Sequence, residues 1–226
     1  MKNQPSVSVV IPSWNSESQM KQNLSYVFAA ASKVKAEIVI VDDNSQYDNS
    51  AGYIKSLGGK VRFYTNKTNR GFSETVNQGV KMAKGDLIIL LNTDVRPSPD
   101  CFIKALKYFE DDSVYAVGFN SQEAWMGGEW KGGLFHHFKV EPTESNKNLV
   151  NPSLWASGGQ AAFSRDKWLE LGGMDLLFKP FYWEDTDMGY NAWKRGWKVL
   201  WGPDCKCVHD DGDSVIASNF ARDFVM

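Results

Sequence analysis

The chain is 226 residues long, 42% hydrophobic and 23% charged, enough to bury a full core as one domain, alone or with a smaller appendage. A formal net charge of −2 argues against a general nucleic-acid binder, which needs a basic surplus to neutralise phosphates. No apolar run approaches the roughly 18 to 20 residues that span a bilayer, and the apolar residues 7–11 are too few for a signal peptide and run into Pro12, so a cytoplasmic location is expected.

In chain order, Val-Ser-Val-Val-Ile at 7–11 predicts a strand, and Met20, Leu24, Val27, Phe28 and Ala31 then recur at helical spacing. Apolar runs at 38–41 and 61–64 predict two more strands, and residues 75–83 a helix. Residues 87–94, Leu-Ile-Ile-Leu-Leu-Asn-Thr-Asp, form an apolar run between Gly85-Asp86 and Pro97 that ends in three polar residues. Such a run reads as a strand buried on both faces. Open α/β sheets bind ligands at the carboxyl ends of their strands, so Asp94 stands where a metal or phosphate would be met. Ser98-Pro99-Asp100 predicts an N-cap with proline at the first helical position, opening a helix whose core face is Phe102, Ile103, Leu106 and Phe109. A strand follows at 115–119. Repeated β-α-β units imply an α/β fold with a mostly parallel central sheet, right-handed crossovers and flanking helices on both faces.

Between 121 and 155 the alternation gives way to Gly127-Gly128, Gly132-Gly133, His136-His137, Trp125, Trp130 and Trp155. This predicts a long excursion that could contain a hairpin, and long loops in compact domains are often functional. Helices are then predicted at 165–171 and 185–195, with Gly196 at the C-cap and a last strand at 198–201. Cys101, Cys205 and Cys207 fit reduced thiols, and Cys205-x-Cys207 near His209 lacks the partner pair of a zinc site.

Polar residues follow each early strand: Pro12-Ser-Trp-Asn15, Asp42-Asp-Asn-Ser45 and, before a helix, Asn69-Arg-Gly-Phe72. The Gly-x-Gly-x-x-Gly fingerprint and the P-loop are both absent, which argues against a dehydrogenase or a standard NTPase. Asp43 suits a base imide or ribose hydroxyl and Trp14 offers a flat apolar face, although Asp42 to Ser45 is also a good turn sequence. Further on, Phe181-Tyr-Trp-Glu-Asp-Thr-Asp187 sets three acids behind three aromatics at a helix start. One acid suffices to cap a helix. The glycines of Ser157-Gly-Gly-Gln160 and Gly172-Gly-Met-Asp175 would let backbone approach a ligand.

Five motifs in order, ending at Asn15, Ser45, Asn77, Asp94 and Asp187, resemble the family 2 glycosyltransferases of GT-A fold, the nucleotide-diphospho-sugar transferase type. The likeness spans residues 6–215 and is greatest to rhamnosyltransferase-like and galactofuranosyltransferase-like members. It implies one GT-A domain, with a nucleotide-sugar-binding half at 6–118 and an acceptor-binding half at 119–215 that contains the 121–155 insertion. It also implies a C-terminal tail shorter than in relatives. The implied reaction is inverting transfer from a dTDP- or UDP-sugar to a saccharide or glycolipid hydroxyl in polysaccharide synthesis, with Mn²⁺ or Mg²⁺ as cofactor.

By that resemblance Asn92-Thr93-Asp94 corresponds to an Asp-x-Asp metal element of which only Asp94 is kept, leaving Asn92 a ribose or water-bridged contact. A hard cation commonly combines one or two carboxylates with phosphate oxygens and water. His209 would complete the metal site, the alternative being a surface histidine. Asp185 inherits the role of catalytic base, with Glu184 the competing candidate, and Trp183, Glu184 and Asp187 fall to the acceptor. Pro12, Trp14, Asn15, Asp42, Asp43, Asn69, Arg70, Gly71, Asn77 and Thr93 match donor positions, with Arg70 alternatively a solvated surface charge. A lipid-linked acceptor would bring the protein to the inner face of a membrane. The competing reading, motivated by Asn92 and the short tail, is a catalytically weak nucleotide-sugar-binding module of a larger polysaccharide-synthesising system.

Overall fold

The computed structural model describes residues 5–121, 124–180 and 182–210. Three runs alternate side chains between two apolar layers, all of them buried except Glu37: β1 (Val7–Ser13), β2 (Glu37–Asp42) and β4 (Leu87–Leu91). Val9, Ile11, Ile38, Ile40, Ile89 and Leu91 face α1 (Glu17–Lys33) and α4 (Cys101–Tyr108), while Val10, Val39, Val41, Ile88 and Leu90 face the opposite layer. That layer holds α3 (Phe72–Met82), α5 (Arg165–Leu171) and α6 (Glu184–Lys194). Each such aliphatic side chain contributes about 1.5–3 kcal/mol on burial, so the sheet's two faces carry much of the stability.

Among the described residues the main sheet has nine strands. β3 (Arg62–Thr65), β2, β1 and β4 run parallel. β10 (Gln160–Ser164) enters antiparallel between β4 and β6 (Val114–Asn120). β11 (Lys198–His209) lies parallel to β6, passes through a register shift between Gly202 and Lys206, and then pairs antiparallel with β5 (Val95–Pro97). β9 (Asn151–Pro152) pairs with β11. A separate hairpin joins β7 (Trp125–Lys131) to β8 (Leu134–Val140). Its turn residues Gly132 and Gly133 have φ of 60° and 81°, the left-handed values that a tight two-residue hairpin turn requires.

Several expectations are corrected. Antiparallel β10 sits inside the sheet where none was expected, and α2 (Ser50–Ser56) was not foreseen. The helix expected to open at Ser98 begins at Cys101, because the Ser98 carbonyl accepts from the Cys101 N–H and makes Pro99-Asp100 a turn. Ile103 is 38% exposed and Ala105 takes the core position instead. The last strand extends eight residues past Trp201, to His209 itself. Cys205 and Cys207 are buried, and burial pushes the Cys207 thiol up to about 12, so these sulfurs pack as protonated core groups. No helix among the described residues is long and apolar enough to cross a membrane.

Candidate active site

A cleft of about 480 Å³ opens at the carboxyl ends of β1 and β4, between α1 and α3. Pro12, Trp14, Asp43, Asn69, Gly71, Asn92, Thr93 and Asp94 line it, together with Ser13, Ser16, Gln19, Phe72, Thr75 and Pro180, which the sequence reading did not single out. Ser13, Phe72 and Thr75 lie inside the recognised motifs and Ser16 beside one. Gln19 and Pro180 reach the cleft through tertiary packing, which no local pattern announces. Its volume is in the range of small-ligand sites, and Trp14, 39% exposed, offers an apolar wall suited to a planar base.

β5 and β11 together fix the far rim. Their antiparallel register puts His209 opposite Val95, the Asp210 N–H donates to the Asp94 carbonyl at 3.2 Å, and Arg96 forks onto the Asp210 carboxylate. As a result His209 Nε2 lies 3.1 Å from Asp94 Oδ1. That oxygen is buried and has no satisfied hydrogen bond, an arrangement costly to leave unpaired. Two ligand atoms about 3 Å apart span one edge of an octahedron with bonds of about 2.1 Å. The donor set, one carboxylate and one imidazole, therefore fits a divalent cation that finds its other ligands outside the protein. No group of three or more metal-ligating side chains occurs among the described residues, so the pair would need a ligand such as a diphosphate to complete it.

Four of the expected donor residues are turned away from the cleft. Asp42 is fully buried and accepts from the Ser45 N–H and Oγ, holding the turn that its sequence also suggested. Asn15, at φ 48°, directs its carbonyl oxygen at the N–H groups of Gln46 and Tyr47. Asn77 clamps Met174, accepting from its N–H and donating to its carbonyl. Arg70 pairs with Glu74, which also holds Lys179 at 2.7 Å. Asp43 does face the cleft, but both its oxygens already accept, from Asn66 Nδ2 at 2.7 Å and from the N–H groups of Arg70 and Gly71 at 2.8 Å each. Its evident work is to shape the 69–72 wall. Asp43→Ala is expected to cost about 2–4 kcal/mol of stability, since three donors lose one buried carboxylate, and to weaken nucleotide binding, both readable by urea unfolding and calorimetry.

The acids meet the Asp94 motif through one short segment, residues 157–160. Asp185 accepts from the Gly158 N–H at 3.4 Å and from the Thr186 N–H at 2.7 Å. Gly158 packs on the Phe72 ring. A Cβ at Gly159 would fall 2.5 Å from Asn92 Nδ2, so these glycines let backbone reach the Asp94 motif. Asp187 accepts from Asn191 Nδ2 at 2.9 Å, and Trp183, at φ 75°, precedes the helix with 46% of its surface exposed. Burial raises Asp185, and burial with the neighbouring Asp175 charge raises Asp187.

Glu184 is 5% exposed with an unpaired Oε2, and burial, with added repulsion from Asp185, pushes it up to about 7. The folded state therefore keeps a proton that the unfolded chain has already released. Glu184's contribution to stability is full below its ordinary value of 4.5 and is lost as pH rises through about 7, a change of about 3 kcal/mol at about 1.36 kcal/mol per unit. Glu184→Gln should unfold at higher urea than the parent at about pH 8, with the gap closing by about pH 5. Parallel pH profiles would show that Glu184 ionises normally.

A mostly parallel sheet with a cleft at the carboxyl ends of its strands is the arrangement in which open α/β domains bind their ligands. The family model "Glycosyl transferase family 2" matches residues 8–172, and the chain belongs to that family. It is 29% identical over 114 residues to a dolichol-phosphate mannosyltransferase of Pyrococcus furiosus, covering 50% of this chain and 32% of that one. It is 24% identical over 201 residues to N-acetylgalactosaminyltransferase 7 of Drosophila melanogaster, covering 76% and 33%. The chain thus spans about a third of the length of these relatives.

Two solved structures share the GT-A fold. GalNAc-T7 with UDP, GalNAc and Mn²⁺ superposes with a TM-score of 0.75 at 23% identity, over 92% of this chain and 44% of that one. The mannosyltransferase PcManGT from Pyrobaculum calidifontis, in complex with GDP-Man and Mn²⁺, gives 0.74 at 19% identity, over 98% and 61%.

Proposed function

We propose that the protein is an inverting glycosyltransferase that moves a sugar from a nucleoside-diphosphate donor to the hydroxyl of a saccharide or lipid-linked acceptor. The observation that carries this reading is the buried, unsatisfied Asp94 oxygen facing His209 at the rim of the cleft. Asp94 and His209 would hold a divalent cation, Mn²⁺ being supported by the imidazole and by its presence in both solved relatives. When bound, such an ion offsets the charge that gathers on a departing diphosphate.

The chain's own groups supply the rest. Trp14 and Pro12 flank the base, and Asn69 to Phe72, held by Asp43, close beside it. Asp185, raised by burial and held by the Gly158 and Thr186 N–H groups, takes the proton of the acceptor hydroxyl as that oxygen attacks the anomeric carbon. Attack on the face opposite the leaving group inverts the centre. The motif likeness favours a UDP- or dTDP-sugar, whereas the relatives are named for mannosyl and N-acetylgalactosaminyl transfer. These agree on the reaction class and differ in the sugar. The test is release of nucleoside diphosphate from UDP-, dTDP- and GDP-sugars with Mn²⁺, before and after EDTA. Release that EDTA abolishes is expected for one donor class. Tight donor binding without release, whatever the acceptor, would favour the binding-module reading.

A further inference from the structure

A second cleft, of about 270 Å³, is lined by Ser157 and Gln160 of the 157–160 segment and by Trp125, Met126 and Lys139 of the β7–β8 hairpin. Ser157 and Gln160 form its floor, His209 stands at the end next to Asp94, and Trp125 and Trp155 make flat walls. Ser157 lines this cleft and adjoins Gly158, whose N–H donates to Asp185, so the cleft and the proposed base share one short segment of backbone. The hairpin is anchored there, with Trp125 on Trp201 at 5.4 Å and His137 edge-on to both Trp155 and Trp183 at 4.9 and 4.7 Å.

The described lining of this cleft contains no aspartate or glutamate and one lysine, Lys139, in a protein with a net charge of −2; His209, 3.1 Å from Asp94, belongs to the cation pair and adds no free charge. Lys139 is exposed and makes no ion pair among the described residues, so its ammonium can meet a ligand in this cleft. A solvated ammonium beside flat indole walls is suited to a sugar that carries a negative group.

We infer that this cleft is an acceptor subsite for an anionic sugar, and that Lys139 recognises its carboxylate or phosphate. The inference rests on the transferase reading and adds the chemical class of the acceptor. Trp125 and Trp155 stack against the ring, Lys139 binds the anion, and a free hydroxyl is turned across Ser157 toward Asp185.

Indole N–H resonances of ¹⁵N-labelled protein, with Mg²⁺ and UDP present, test this. Trp14, Trp125 and Trp155 are assigned by Trp→Phe replacement. Methyl glucuronide and glucose 6-phosphate supply the carboxylate and the phosphate, and methyl glucoside is the neutral control. At least one anionic probe should shift the Trp125 and Trp155 signals, and which binds tighter identifies the anion. Lys139→Ala should weaken that binding about tenfold or more, and Lys139→Arg should retain it. The inference is overturned if methyl glucoside binds as tightly as the anions, if neither anion shifts these signals, or if Lys139→Ala leaves the affinity unchanged. The Trp14 signal reports donor binding separately. Its response to UDP in Lys139→Ala shows that the variant is folded, and its silence in the parent protein would count against the transferase reading rather than against Lys139.

Discussion

Asp94→Ala is expected to lower metal-dependent diphosphate release by about 10²–10³-fold, the loss typical when a group that stabilises developing charge is removed. The reason is positional. Asp94 follows the β4 run, its buried Oδ1 has no hydrogen-bond partner among the described residues, and His209 Nε2 lies 3.1 Å from it. Alanine would leave an imidazole alone to hold the ion, and excess Mn²⁺ should restore little of the rate. Fold stability should fall only slightly or rise, because the substitution also removes an unsatisfied buried oxygen. A variant that loses rate and structure together would place Asp94 in the framework.

Asp185→Asn should remove about 10²–10⁴-fold of transfer, the usual contribution of a positioned base, while leaving nucleotide affinity near that of the parent. Asparagine has one acceptor oxygen, so it can keep the 2.7 Å bond from the Thr186 N–H at the helix start while losing the longer 3.4 Å bond from the Gly158 N–H, which Asp185 accepts on its other oxygen. Because burial raises Asp185, the acid limb of the parent's kcat/KM profile should lie above the ordinary carboxylate range, with rate lost as pH falls through it. Full activity in Asp185→Asn combined with loss in Glu184→Gln would transfer the role of base to Glu184, whose unpaired oxygen and raised value make it the natural competitor.

The parts of this molecule that local pattern governs were readable in the sequence. Apolar runs at β1, β2 and β4 announced strands, the last of them buried on both faces, and Gly196, at φ 75° just beyond α6, announced that helix's end. The place of Asp94 just past a buried strand was readable from the apolar run, and its nearness to His209 followed from the family resemblance. What could not be read depends on contacts distant in sequence. β10 is an ordinary short strand whose central, antiparallel place is set by partners about 70 and 45 residues earlier. Asp42, Asn15 and Asn77 belong to motifs associated with the donor, yet their side chains fasten neighbouring backbone, a distinction that residue type alone does not make. The hairpin that the 121–155 excursion could contain is there, but its strands and register could not be read, because Gly127 and Gly128 sit where Phe138, Phe135 and Leu154 press against the strand and interrupt the expected alternation.

The central claim is that Asp94 and His209 form one edge of a cation site beside the nucleotide cleft. Mn²⁺ binding followed by loss of the free-ion EPR signal, with and without UDP, tests it most directly, since it needs neither the right sugar nor an acceptor. Mn²⁺ should bind the parent protein weakly alone and at least about tenfold more tightly with UDP, because diphosphate oxygens complete the coordination. Asp94→Ala should abolish that gain. Equal Mn²⁺ affinity with and without UDP, or a gain that survives in Asp94→Ala, would contradict the account.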